Sequence, residues 1–222
     1  TTPRGDAVAA GHLMGDSLPA VNLGRGKKAK TLAAGGNSNC AVLTNASVKC
    51  WGDNTSGQLG DGTTINRTPP VSVSGLAGVT AITAGASHTC ALLSSGTVKC
   101  WGYNGAYNLG DGTNQSRTEP VAVLDVEGLV DITAHADSTC ALTETGLVRC
   151  WGSNGYGQLG NGTPGQPLPT NVAKLEGVRA LASSSIGYHH CAQLATGAMR
   201  CWGWNAEGQI GDNSTTNRGL PV

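Results

Sequence analysis

An all-β repeat fold of the propeller type is what this chain predicts, and three observations predict it. Eight cysteines fall in pairs ten residues apart, at Cys40/Cys50, Cys90/Cys100, Cys140/Cys150 and Cys191/Cys201, with about fifty residues from pair to pair. A Gly-rich string follows each second cysteine, as in Cys150-Trp-Gly-Ser-Asn-Gly-Tyr-Gly-Gln-Leu-Gly-Asn-Gly-Thr163. Stretches such as Val79-Thr-Ala-Ile82-Thr-Ala alternate with period two, whereas helical periodicity over eleven or more residues is absent. A fifty-residue period sets the whole architecture, and four short strands per unit at this length describe propeller blades. One blade leaves its faces uncovered, so neighbours must stack.

The elements of one unit run in order as a Pro-Val segment, an alternating strand, a cysteine hairpin and a Gly-rich loop. Between Cys90 and Cys100, Ala91-Leu-Leu-Ser-Ser-Gly96-Thr-Val-Lys99 reads as two short strands about a three-residue turn. Gly96, Gly146 and Gly197 hold its last position, where a positive φ is wanted. Ala46 stands there in the first unit, and Asn45 is expected to take the left-handed backbone instead. Folding about the turn makes the two cysteines opposed neighbours, roughly 4.5–5.5 Å apart at Cα, within reach of a disulfide. Four bridges are expected, each inside its own hairpin and each removing roughly 3 kcal/mol of unfolded-state freedom. Zinc ligands two to four residues apart are not present in this pattern, so no metal is expected.

Composition excludes several classes. The 14 basic and 14 acidic side chains cancel, which leaves no field to hold a nucleic acid. With 13% charged residues the chain is too weakly charged for a solvated disordered tail. No window of about 18 apolar residues could span a bilayer, and residues 1–18 include Arg4, Asp6, His12 and Asp16. Paired cysteines persist in oxidising compartments, so an extracellular or periplasmic location is expected.

The string Ser87-His-Thr-Cys-Ala-Leu-Leu-Ser-Ser-Gly-Thr-Val-Lys-Cys-Trp-Gly102, with Asn104 and Leu109-Gly-Asp-Gly112 after it, resembles a repeat of the regulator of chromosome condensation family in its cysteine-bearing, bacterial extracellular form. The resemblance runs from about Pro19 to the C-terminus. It implies a β-propeller, usually of seven blades, whereas this chain carries four complete four-stranded units of about fifty residues. These are expected at 19–68, 69–118, 119–168 and 169–222, the last including the start of a further segment. Thr1-Thr2-Pro3-Arg4-Gly5 matches Thr215-Thr216-Asn217-Arg218-Gly219, so residues 1–18 read as the tail of a preceding repeat plus an insertion. Three arrangements stay open: a piece of a longer array, a compact four-bladed ring, or open ends completed by other copies.

Trp51, Trp101, Trp151 and Trp202 recur at one repeat position and are expected to fill the space between blades. Asp61, Asp111 and Asp212, with Asn161 in the third unit, are expected to tie their own loops rather than bind calcium. Arg67, Arg117 and Arg218 are expected to reach the neighbouring unit, with Pro167 interrupting the series. His88 and His189 share a position, His135 and His190 do not, and all are expected at the surface or as caps. Six Asn-x-Ser/Thr strings begin at Asn45, Asn54, Asn66, Asn114, Asn161 and Asn213. No nucleophile, base and orienter cluster or nucleotide fingerprint is visible, so neither catalysis nor a cofactor is expected.

What varies between repeats points to binding. Asp53, Tyr103, Ser153 and Trp204 occupy one variable position in an otherwise constant loop, and Tyr107, Tyr156 and Tyr188 add aromatics the repeat does not require. Aromatic side chains on rigid loops anchor partners at little ordering cost. The expected function is a secreted, non-catalytic scaffold for a protein or glycan partner. The alternative is self-assembly through the repeat ends into a homo-oligomer, sheath or filament. The nucleotide-exchange and chromatin role of eukaryotic family members is the least favoured, because the charge is neutral and the cysteines are paired.

Overall fold

A computed structural model describes residues 20–183 and 187–222, so the expected tail and insertion at 1–18 lie outside the described residues. The chain forms antiparallel sheets in sequence order. The first holds β1 (Ala29–Ala34), β2 (Ser38–Leu43), β3 (Val48–Gly52) and β4 (Arg67–Ser72), in that spatial order. The second repeats it with β5 (Val79–Ala84), β6 (His88–Leu93), β7 (Val98–Gly102) and β8 (Arg117–Ala122). The third uses β9 (Leu129–His135), β10 (Ser138–Thr143), β11 (Val148–Gly152) and β12 (Gln166–Asn171). The fourth contains β13 (Val178–Ser183), β14 (His189–Leu194) and β15 (Met199–Gly203). Its outer place is taken by residues 218–222, where Gly203 and Arg218 exchange backbone hydrogen bonds of 2.7 and 2.8 Å, and Cys201 and Val222 exchange two of 3.1 Å. Each sheet is a blade, and the first strands of successive blades touch one another on the inner side.

The Pro-Val segment that opens a sequence repeat completes the sheet of the repeat before it, because the boundary after residue 68 falls inside β4. Pro69, Pro70 and Pro120 lie in these outer strands. An edge strand tolerates missing N–H donors that a central strand would need. The two central strands form the cysteine hairpin. Cys40, Cys90, Cys140 and Cys191 face Cys50, Cys100, Cys150 and Cys201 in register. All four pairs are disulfides with Cα atoms 4.1 Å apart, so every cysteine is bridged within its own hairpin. In the first turn the left-handed residue is Ala46, at φ 60°, and not Asn45 as expected. Asn45 instead spends its side chain locally, Oδ1 accepting from Ser47 Oγ at 2.8 Å. A turn of fixed length demands the positive φ at one place, whichever residue stands there.

The core lies between blades. Cys40, Val42, Val48, Cys50 and Leu59 of blade 1 pack with Val79, Ala91 and Trp101 of blade 2. The pattern recurs around Trp151 and around Trp202. Each indole donates Nε1–H across the seam to the preceding blade, Trp101 to the Gln58 carbonyl, Trp151 to that of Asn108 and Trp202 to that of Gln158, all at 2.9 Å. Gly60, Gly110 and Gly160 lie beneath the rings, and a Cβ on any of them would come within 3.0 Å of the indole. These three tryptophans are fully buried, whereas Trp51 is only partly buried.

Candidate functional site

The Gly-rich loops are held by one asparagine each. Oδ1 of Asn54, Asn104, Asn154 and Asn205 accepts from the backbone N–H of Leu59, Leu109, Leu159 and Ile210 at 2.8–2.9 Å. Their Nδ2 groups donate to Asp61, Asp111, Asn161 and Asp212. Asn54 is fully buried by this work, so its Asn-x-Ser string offers no glycan acceptor in the folded chain. The aspartates then close on the arginines six residues on, Asp61 on Arg67 at 2.7 Å and Asp111 on Arg117 at 3.0 Å, with Asp212 paired to Arg218 in the same way. The expectation that these arginines contact the neighbouring unit therefore divides: each guanidinium finds its opposite charge in its own loop, whereas the Arg117 and Arg218 carbonyls lie against Gly57 and Gly157 of the preceding blade. Burial pushes the Asp61 and Asp111 carboxyls up, but hydrogen bonds from Thr63 and Arg67, and from Thr113 and Arg117, outweigh it and hold both below the ordinary carboxylate range. Among the described residues no group of three or more His, Cys, Asp or Glu is placed to hold a metal.

On this frame the variable residues divide. Asp53 accepts from Gln58 Nε2 at 2.9 Å and from the Thr55 N–H at 3.1 Å, and Ser153 Oγ accepts from Gln158 Nε2 at 3.5 Å, so both serve their own loops. Tyr103, 39% exposed, and Tyr107, partly buried, belong to the blade 2 loop. Tyr107 has φ 64° where the other loops place Gly57, Gly157 and Gly208. Tyr156, Tyr188 and Trp204 converge. The Tyr156 ring lies 5.2 Å from Tyr188 and 6.4 Å from Trp204, centroid to centroid. Tyr156 comes from the blade 3 loop, while Tyr188 and Trp204 flank the central hairpin of blade 4 and are tied by a 2.8 Å bond from the Trp204 N–H to the Tyr188 carbonyl. The patch straddles one seam, with Tyr156 42% exposed at its outer side.

Below it the rings continue inward. Tyr188 meets His135 edge-on at 6.5 Å, His135 lies 3.9 Å from His190, and His190 is 5.8 Å from the seam indole Trp202. Ser138 Oγ sits between the imidazoles, 2.9 Å from His135 Nε2 and 3.2 Å from His190 Nε2. His88, in the preceding seam, pairs with Thr139 Oγ1 at 2.8 Å. His88, His135 and His190 are at most 1% exposed, which overturns the expected surface or capping role. Burial pulls His88 down to about 4, and burial with two neighbouring imidazoles pulls His135 down to about 3. His190 lies well below its ordinary value for the same reasons. These histidines are neutral at neutral pH. The signal for them was present: His135 stands where other units have Gly35 and Gly85, and His190 where they have Thr89 and Thr139.

Two models of the regulator of chromosome condensation (RCC1) repeat match the chain, one over residues 47–92 and 145–194, the other over 29–58, 79–107 and 130–158. No curated protein matches its sequence. Yeast RCC1 (Prp20), solved bound to Kap60, is similar with a TM-score of 0.80 at 21% identity over 91% of this chain and 50% of that one. Prp20p of Saccharomyces cerevisiae, in a structure described together with its binding to Gsp1p and histones, gives 0.78 at 20% identity, covering 91% and 51%. Human WBSCR16 gives 0.76 at 18% identity, covering 88% and 52%. At these identities the likeness concerns the fold, and the chain spans about half the length of each. Taken with the repeat matches, which together cover more than half of the residues, the indole seams and loops assign the chain to the regulator of chromosome condensation repeat family.

Proposed function

We propose that the protein is a secreted, non-catalytic scaffold that holds a protein or glycan partner against the aromatic patch over the seam between blades 3 and 4. One observation carries this reading: Tyr156, Tyr188 and Trp204, none of which the repeat requires, are gathered together, Tyr156 and Trp204 on loops braced by the asparagine network and Tyr188 tied by its carbonyl to the Trp204 N–H. Rings held in place lose little freedom on binding, and aromatic anchors dominate interface energetics. Four disulfides support the extracellular address, because such bridges persist where thiols are not kept reduced. No helix among the described residues is long and apolar enough to cross a membrane. The test is a screen of the chain against immobilised oligosaccharides and extracellular peptides, repeated with Tyr156→Ala and Trp204→Ala. A ligand whose affinity drops about tenfold or more in both variants, at unchanged melting temperature, supports the reading. Binding indifferent to both substitutions refutes it.

A further inference from the structure

We infer that blade 1, at the end that carries its hairpin turn, binds an acidic polysaccharide through Arg25, Lys27, Lys28 and Lys30, a surface separate from the aromatic patch. These four cations fall within six residues, and no acidic residue stands between Asp16 and Asp53. A chain whose charges cancel overall therefore carries one strongly positive sector. All four side chains are exposed, and among the described residues none of them makes an ion pair or a hydrogen bond. The ion pairs that do form lie in the Gly-rich loops.

The fold fixes where this segment lies. The Lys28 carbonyl accepts from the Thr44 N–H at 3.0 Å, as the carbonyls of Gly78, Gly128 and Gly177 accept from Ser94, Glu144 and Ala195 at 2.8–2.9 Å. The cations thus sit beside the hairpin turn, at the opposite end of the central strands from the Gly-rich loops and the aromatic rings. A turn shapes the approach, with the Lys27 N–H donating to the Gly24 carbonyl at 3.1 Å and Gly24 and Gly26 at φ 103° and 72°. Exposure here belongs to the face and does not depend on a neighbouring blade. Blades 2 and 3 have a blade on each side, yet Ala77 and Thr80, and Glu127 and Val130, which hold the places of Lys27 and Lys30, are exposed too. Nor does the repeat ask for cations, since Arg25 and Lys28 stand where blade 2 has Gly75 and Gly78 and blade 3 has Asp125 and Gly128.

The surrounding charges select the occupant. On the same face blade 3 presents Asp125, Glu127 and Glu144, and blade 4 presents Glu176, all exposed. A flat anionic surface such as a bilayer would press these carboxylates against like charge. A polyanion carried on one narrow chain can follow blade 1 and leave the acidic sector in water. Guanidinium and ammonium groups pair with sulfate and carboxylate alike. The four disulfides favour a ligand met outside the cell, which sets a glycan ahead of a nucleic acid.

Calorimetric titration of the chain at low salt tests this, with heparin as the sulfated probe and alginate as the carboxylated one. Vesicles of phosphatidylcholine and phosphatidylserine and a short DNA duplex serve as the competing polyanions. Two double variants remove equal charge from equivalent positions of one face, Arg25→Gln with Lys30→Gln in blade 1, and Lys174→Gln with Arg179→Gln in blade 4. Each is checked for folding by circular dichroism. Wild type should bind at least one of the two glycans, and the affinity should fall steeply between roughly 0.05 and 0.3 M salt as the screening length shortens. The blade 1 variant should bind about tenfold more weakly, while the blade 4 variant stays within about twofold of wild type. A wild-type chain that ignores both glycans overturns the inference. So does an equal loss in the two variants, which would make net charge and not the cluster responsible. Tighter binding to the vesicles or to DNA than to either glycan overturns the assigned ligand class.

Discussion

The seam between blades 1 and 2 and the seam between blades 3 and 4 share one bond and differ beside it. In both, an indole donates to the carbonyl of a loop glutamine at 2.9 Å. In the first seam that same Gln58 carbonyl also accepts from Thr89 Oγ1 at 2.9 Å, a small hydroxyl that leaves no buried polar group unmet. In the later seam His190 replaces the threonine, stacks on His135, and has a buried Nδ1 with no partner among the described residues. The repeat thus fixes the indole and its acceptor, and leaves the neighbouring place free to carry rings that lead outward to Tyr188 and Tyr156. A scaffold built this way gains a surface feature at one seam without altering the joint itself.

The largest expected effect tests the shared part. Trp101→Ala and Trp202→Ala should each cost about 3–5 kcal/mol in urea denaturation, the range for deleting a buried large aromatic. A gap of more than about 1 kcal/mol between them would show that the two joints are not equivalent.

Acid should separate the seams. Unfolded histidine takes a proton near pH 6.5, whereas His88 waits until about 4 and His135 until about 3. The unfolded chain binds more protons throughout that interval. The contribution of these groups is therefore complete above pH 6.5 and is lost as the pH falls, by roughly 1.4 kcal/mol per pH unit per imidazole. Asp131 and Asp137, whose carboxyls burial raises, act in the opposite direction at the acidic end. Hydrogen exchange at pH 7 and near pH 5 should show the seams holding His88, His135 and His190 opening first, and the seam with Thr89 last. Uniform opening would erase the distinction.

His190→Thr sharpens it further, since the hydroxyl can meet the Gln158 carbonyl as Thr89 meets that of Gln58. The variant should flatten the acid dependence by one imidazole's share, roughly 1.4 kcal/mol per pH unit, read from denaturation midpoints at several pH values. The smallest effect belongs outside both seams. Asp111→Asn should cost at most about 1 kcal/mol, because an ion pair open to solvent on its arginine side is weak and the third blade already closes its loop through Asn161 without a charge. A loss well above that in thermal melts would make the loop aspartate part of the joint.

Much of this was legible in the residues. The ten-residue cysteine spacing and the turn glycines specify a register, and register is what opposes the sulfurs. The recurring tryptophan implies a recurring space to fill, which the seams supply. The histidines were not legible in the same way, because a lone His reads as polar until the alignment shows it replacing Gly85 or Thr89 at positions that face a neighbour. The arginines misled for a related reason: a repeating charge says that a contact repeats, and not whether its partner lies in the same unit or the next. The aromatic patch was visible as separate departures from the repeat. Its assembly depended on a loop of one blade and the hairpin ends of the next coming together, which only the stacking of blades provides.

The placement of the sulfur bridges has a mechanical consequence. Each closes the two central strands of one sheet and none joins one sheet to another. Pulled from its ends, the oxidised chain should come apart sheet by sheet, while the segment inside every bridge stays shielded from the load. Ten residues withheld at about 3.5 Å each shorten the extension of every released unit by roughly 35 Å, so a reductant would lengthen each step of the force trace without adding a step.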